Sequence, residues 1–300
     1  MKFNILFLLL LPGMCFSQNI DERLTKRLQS LIATHHGTVG IYVKNLNNNR
    51  IVAINADSLF PTASMIKVPI LVGIMDKINR NELQYHQELI YHDSLLYPGV
   101  DILGSFKVGE KIELSKLMML MATMSDNTAS IWLQLLAGTG TRINTIMDSL
   151  GFRYTRVNSR TPGREAHRER FGWGQCTPRE MSTLFEKIYK REIISPSISD
   201  RMLRTLNRNY WDDAGVSQIP PAATVFSKNG ALNAYRSETL LVRGYKSEYV
   251  YTIITNNNRD TSWNPQNEAW ELMRTVSSLL WTYFEPNHKW KSPAEAAKFY

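Results

Sequence analysis

Cysteine is nearly absent from this 300-residue chain, which holds only Cys15 and Cys176. With Cys15 inside a removable N-terminal segment (below), no intramolecular disulfide can staple the fold. Cys176 stands in Gly-Gln-Cys-Thr-Pro, just ahead of a helix start. No histidine motif accompanies it, so it reads as a packed thiol and not a nucleophile. Histidine is also scarce: His35, His36, His86, His92, His167 and His288, with no His-Glu-x-x-His pair. His167-x-Glu169 is followed by one cysteine where a zinc-deaminase pattern needs two. No phosphate-cradling glycine motif is present either, so no metal and no cofactor is expected. The formal charge is +8, yet lysine and arginine are scattered without a long basic run. That argues against nucleic-acid binding, whereas a positively biased surface suits small anionic molecules. Beyond residue 17 no stretch approaches the roughly 20 apolar residues that a membrane-spanning helix requires.

The first 17 residues, MKFNILFLLLLPGMCFS, have the layout of a secretory signal peptide. Lys2 supplies the positive start and Ile5 to Leu11 the apolar run. Cys15-Phe16-Ser17 precedes a cut that would make Gln18 the new N-terminus. Pro12-Gly13-Met14 is a poor lipoprotein signal, so export to the periplasm or medium is expected without a lipid anchor. Cleavage leaves 300 − 17 = 283 residues and lowers the charge to about +7. With 43% hydrophobic and 21% charged residues, that length buries a large core in one or two domains.

Periodicity divides the remainder. Leu24, Leu28, Leu31 and Ile32 give residues 21–36 one apolar helical face, with Gly37 as the expected stop. Residues 37–46 and 50–56 read as strands joined at Asn47-Asn48-Asn49. From about residue 63 the helical period takes over, at 65–78, 114–124, 128–136, 142–150, 178–189 and 197–206. Strands return at 224–231, 237–243 and 249–255. A closing helix over 266–284 has Trp270, Met273, Val276, Leu280 and Trp281 as its expected buried stripe. The order predicts an α+β fold: an antiparallel sheet from both chain ends (18–62 and 207–284), flanked by terminal helices, with an inserted helical part (63–206). Residues 285–300 read as a solvated tail.

Three short motifs carry the chemistry: Ser64-x-x-Lys67, Ser125-Asp126-Asn127 and Lys228-Asn229-Gly230. Average residue usage yields about one S-x-x-K per chain of this length, but an S-D-N in only about one chain in twenty or thirty. The ordered triple is rare. A serine at a helix start is usually a cap. Lys67, three residues on, shares its helix face, and a neutral amine there could take the Ser64 proton. The helix-start N–H groups point toward a developing oxyanion. An S-D-N before Thr128 also reads as a capping turn, with Asp126 stabilising it. Lys228 on an edge strand is ordinary aggregation protection. Gly230, however, lets a substrate approach the backbone, and the Ala231 N–H could complete an oxyanion hole.

Together with the stretches PTASMIKVPI, MATMSDNTASIWLQLLAG and FSKNGAL, the triple resembles the class A β-lactamases and related penicillin-recognising serine hydrolases over most of the chain. The resemblance implies that Ser64 forms an acyl-enzyme and that Ser125 relays a proton to the departing nitrogen. It gives Asn127 the task of holding the lysine and the substrate amide. Lys228 would attract a substrate carboxylate, helped by Asn229, where the family usually has a hydroxyl residue. Arg236 or Arg243 would add a second carboxylate clamp, and Tyr97 an aromatic at the pocket rim. One departure stands out. In an ungapped count, the family's Glu-Pro-x-x-Asn loop, whose glutamate activates the deacylating water, falls on Thr161-Pro162-Gly163-Arg164-Glu165. Glu165 or Glu169 is then the candidate base. Two readings follow: an exported monomeric hydrolase opening β-lactams or related amides and esters, or a penicillin-binding or sensing protein that acylates and releases slowly. The expected partner in both is a small molecule.

Overall fold

The computed structural model describes residues 19–292 except 100 and 208; the expected leader over 1–17, the cut before Gln18 and residues 293–300 lie outside it. The chain opens with helix α1 (Glu22–Ile32), capped by the Asp21 carboxylate, which accepts the Leu24 N–H at 3.1 Å. It stops before Gly37, at Ala33, whose N–H bonds the Gln29 carbonyl. Strands β1 (Thr38–Asn45) and β2 (Ile51–Ile54) form the first hairpin. Its turn is held by the Asn45 side chain, which accepts the N–H groups of Asn47 and Asn48.

The middle of the chain is mainly helical. A two-residue strand β3 (Phe60–Pro61) leads into a single tight helical turn, Ala63–Ile66, and then α2 (Lys67–Asn79). Small strands β4 (Glu88–Ile90) and β5 (Lys111–Glu113) pair with each other ahead of α3 (Leu114–Thr123), α4 (Asn127–Leu136) and α5 (Thr139–Ser149). Strand β6 (Arg156–Val157), the short α6 (Glu165–Phe171) and β7 (Gly174–Cys176) follow, and β7 pairs with both β3 and β6. Helices α7 (Pro178–Tyr189) and α8 (Pro196–Leu206) each start with proline, where its missing N–H costs nothing. Then come β8 (Thr224–Leu232), β9 (Tyr235–Arg243), β10 (Glu248–Asn256) and α9 (Glu268–Phe284).

The main sheet has the order β2-β1-β10-β9-β8, with every neighbouring pair antiparallel, so strands from both chain ends meet in it as the α+β reading expected. Both faces are covered, and alternate residues serve different cores. Leu241, Val250 and Ile254 face the helical block, whose centre is the almost wholly buried α2. Leu240, Val242, Tyr251 and Ile253 face α1 and α9. Burial at this density supplies most of the folding drive, at about 25 cal/mol per Å² of apolar surface.

Two expectations need correction. Met273, Val276, Leu280 and Trp281 are buried on α9, but Trp270 is only half-buried and turns into a cleft. The start of the tail is anchored, not solvated. Glu285 accepts the N–H groups of Lys246 and Ser247 at 2.8 Å each, and the His288 ring stacks on Tyr245 at 4.0 Å. No helix among the described residues is long and apolar enough to cross a membrane.

Candidate active site

Ser64 lies in the tight turn and Lys67 directly follows it. In a turn with i→i+3 bonds, side chains three apart eclipse each other. Accordingly, Lys67 Nζ sits 3.0 Å from Ser64 Oγ. The cap position of the turn is Thr62, and the Ser64 hydroxyl lies inside the turn and accepts from Lys67, so the bland role of a serine at a helix start is not the one it fills. Lys67 is only 1% exposed. Its Nζ also meets Ser125 Oγ at 3.1 Å, Asn127 Oδ1 at 2.8 Å and the Ser125 carbonyl. Burial pulls its pKa down to about 7, opposed by the Asp101 and Asp126 carboxylates. Near neutral pH a large share of this amine is therefore unprotonated, with a lone pair available to the neighbouring hydroxyl.

Ser125 joins α3 to α4 with φ of 59°, a left-handed conformation that costs a non-glycine residue energy; Ala63, before Ser64, has φ of 43°. Asp126 absorbs part of that cost. One carboxylate oxygen accepts Ala129 N–H at 2.7 Å as the cap of α4, and the other accepts Leu103 N–H at 2.9 Å. Asn127 is held from above by Asp101, whose carboxylate accepts the Asn127 and Thr128 N–H groups at 3.0 and 2.9 Å.

Lys228 reaches the same hydroxyl from the sheet. Its Nζ lies 3.1 Å from Ser125 Oγ, 3.0 Å from the Asn229 carbonyl and 3.3 Å from Asn229 Oδ1. Burial, then the charge of Lys67, hold its pKa well below the usual lysine value, and Glu238 pulls the other way. Ser125 Oγ accepts from both amines, which uses both its lone pairs and leaves its proton to point away from them. Strand β8 is an edge strand of the sheet, and at Gly230 it runs against the tight turn. A Cβ there would lie 2.6 Å from Ser64 N and 2.7 Å from the Thr62 carbonyl. Ser237 on β9 fastens the same place by donating to the Thr62 carbonyl at 2.8 Å.

These groups border one cavity of about 350 Å³, lined among others by Ser64, Ser125, Asn127, Asn229, Gly230 and Ala231. That volume suits a small ligand. Lys67 and Lys228 are buried behind this lining, and five other predicted residues are not part of it. Glu165 is exposed on the first turn of α6, where its carboxylate accepts Gly163 N–H at 3.1 Å, and Glu169 is exposed on the same helix. Arg236 is 0% exposed: its guanidinium donates to the carbonyls of Leu232, Asn233, Tyr235 and Ser262 and stands 4.7 and 4.6 Å from the ring centres of Trp263 and Trp270. Those carbonyls occupy the donors a carboxylate would need. Arg243 pairs with Glu248 at 3.2 Å. Tyr97 meets Trp173 edge-on, with ring centres 5.2 Å apart. Thr161 is buried, donating to the Ser159 carbonyl at 2.9 Å, with its hydroxyl where a side chain at Gly140 would lie. Cys176 is fully buried, which pushes its thiol pKa up and makes it inert.

The sequence reading missed Asp101, Trp211, Ser237 and Trp263, all of which line the cavity. None sits in a motif. The one usable signal was the Tyr210-Trp211 pair, an aromatic dipeptide in a polar loop.

A sheet covered by helices on both faces, carrying a serine between two buried lysines, defines the frame of a serine hydrolase. The chain belongs to the β-lactamase enzyme family, whose sequence profile matches residues 23–284. It is 22% identical to β-lactamase VEB-1 of Pseudomonas aeruginosa over 72% of this chain and 74% of that one. With a β-lactamase of Streptomyces fradiae it shares 25% identity over 67% of this chain and 66% of the other. Among solved structures, PBP-A superposes with a TM-score of 0.79 at 25% identity, covering 90% of this chain and 98% of PBP-A. That protein has also been solved as a leucine-to-glutamate variant, in acyl-enzyme complex with penicillin-G.

Proposed function

We propose that the protein is an exported serine hydrolase that opens β-lactams and related amides or esters through a Ser64 acyl-enzyme, and that release of the acyl group is its slow step. The observation that carries this reading is the convergence of two buried lysines on two hydroxyls: Lys67 lies within 3.1 Å of both Ser64 and Ser125, and Lys228 within 3.1 Å of Ser125. Lys67, as the free amine, takes the Ser64 proton while Ser64 Oγ bonds to the carbonyl carbon. The N–H groups of Ser64 and Ala231 hold the resulting oxyanion. Ser125 gives its outward proton to the departing nitrogen and is resupplied by Lys67. Lys228 and Asn229 attract a substrate carboxylate. All these parts come from one chain, so a monomer suffices, and the apolar leader supports export.

Slow release rests on the position of the loop carboxylates. Glu165 and Glu169 point to solvent, and Thr161 is turned toward Gly140, which leaves no loop carboxylate to activate water. The likeness to PBP-A, whose leucine-to-glutamate variant has been solved as an acyl-enzyme with penicillin-G, supports the acylation step. Purified protein mixed with excess chromogenic lactam should release one equivalent in a burst and then turn over slowly, with a stable mass adduct on Ser64. Ser64→Ala should show neither. Linear turnover without adduct would refute slow release, and an adduct on Ser64→Ala would refute the site.

A further inference from the structure

We infer that the cleft contains an aromatic subsite for the departing half of the substrate, and that Trp211 and Trp263 set a preference for a flat apolar group there. This rests on the acyl-transfer reading above. Beyond Ser125 and Asn229 the cavity continues between Trp211, Trp263, Pro265, Trp270 and Met273. Trp211 fixes which half of the substrate this wall serves. Its indole N–H donates to the carbonyl of Met124, the residue before Ser125, at 2.9 Å, and its own carbonyl accepts the Asn229 amide at 3.4 Å. It therefore stands beside the hydroxyl that must protonate the leaving atom, and what it touches is the fragment attached to that atom.

The wall is built and not incidental. Trp263 is 57% exposed, unusual for tryptophan, yet it is held in place by an indole bond to Asn233 Oδ1 at 2.9 Å and by edge-on contact with Trp270, ring centres 5.8 Å apart. The buried Arg236 guanidinium between these two rings fixes their spacing from behind. Aromatic rings in a cleft favour another ring by stacking and by shedding water.

Thioesters give a direct test, because the acyl-enzyme is the same whichever thiol leaves. Ser64 Oγ bonds to the acyl carbon, the carbon–sulfur bond breaks, and Ser125 delivers the proton to the departing sulfur. Two probes share a phenylacetyl-glycyl acyl half and carry benzyl mercaptan or ethyl mercaptan. Acylation should favour the benzyl probe by about tenfold or more, the scale of apolar-pocket discrimination. In Trp263→Ala the benzyl-to-ethyl ratio should fall toward unity, and Trp211→Ala should do the same; because Trp263 is surface-exposed, its variant keeps the test valid if Trp211→Ala does not fold. The deacylation rate should not depend on the probe. Equal acylation by both probes in the parent protein, or a ratio unaffected in Trp263→Ala, overturns the subsite. Failure of both probes together with penicillin would instead overturn the acyl-transfer reading beneath it.

Discussion

Lys67 does two jobs that need opposite charge states. As an ammonium it can satisfy Ser64, Ser125 and Asn127, whereas as an amine it can take a proton. Burial, the stronger influence, sets the balance at about 7, and Asp101 and Asp126 resist it. Because the free amine is the reactive form, the acylation rate should climb with pH through an apparent pKa near 7. Replacing Asp101 with asparagine keeps an acceptor for the α4 N–H groups and removes one of the charges that hold the proton on. The limb should therefore move to lower pH in Asp101→Asn, as read by stopped-flow acylation across pH 5–9. A limb that stays put or moves up would mean another group controls the step.

At the scale of elements, the site depends on how closely β8 approaches the Ala63–Ile66 turn. In Gly230→Ala the added carbon meets backbone atoms at 2.6 and 2.7 Å, and backbone cannot rotate aside as a flexible side chain would. Overpacking of this kind costs about 1–3 kcal/mol, and displacing Ser64 by about 1 Å should slow acylation about 100-fold. Urea unfolding and burst rates would check both, and an active, equally stable variant would contradict the contact. Elements of this kind were legible in sequence to different degrees. Helix α7 runs over the residues its apolar period indicated, because Thr177, Pro178 and a strong stripe all agree. By contrast, the helix expected from residue 65 begins as a tighter turn, since a hydrophobic period cannot separate two kinds of helical bond. Helix α6 has too few apolar residues to reveal itself. The left-handed backbone at Ala63 and Ser125 is imposed by tertiary contacts and leaves no trace in those residue types. Arg236 was misread for a similar reason: its stacking partners, Trp263 and Trp270, are far along the chain.

Across the whole molecule, two cores grip one sheet, and a carboxyl is sealed into the second. Glu238 is 0% exposed, accepts Gly215 N–H at 2.8 Å, and is raised by burial to a pKa of about 8. In the unfolded chain a glutamate loses its proton near about pH 4.3. Between those values the folded protein holds the extra proton, so this group lowers stability as pH rises from about 4.3 to about 8. Glu238→Gln should remove that slope. Calorimetry at pH 5 and pH 8 should show the variant gaining melting temperature over the parent at the higher pH, and no difference between the two pH values would discredit the buried carboxyl. The sheet also determines when the protein becomes competent. Ser125 belongs to the helical part and Lys228 to the edge strand β8, 103 residues later. Ser64 and its base Lys67 lie in the helical part, but Lys228 and the Ala231 N–H come from the sheet, so the site is complete only when the two parts close on each other, among the last long-range events of folding. A covalent penicillin count made during refolding is thus a clock for that closure, and molecules that look folded by helix content alone would be silent in it.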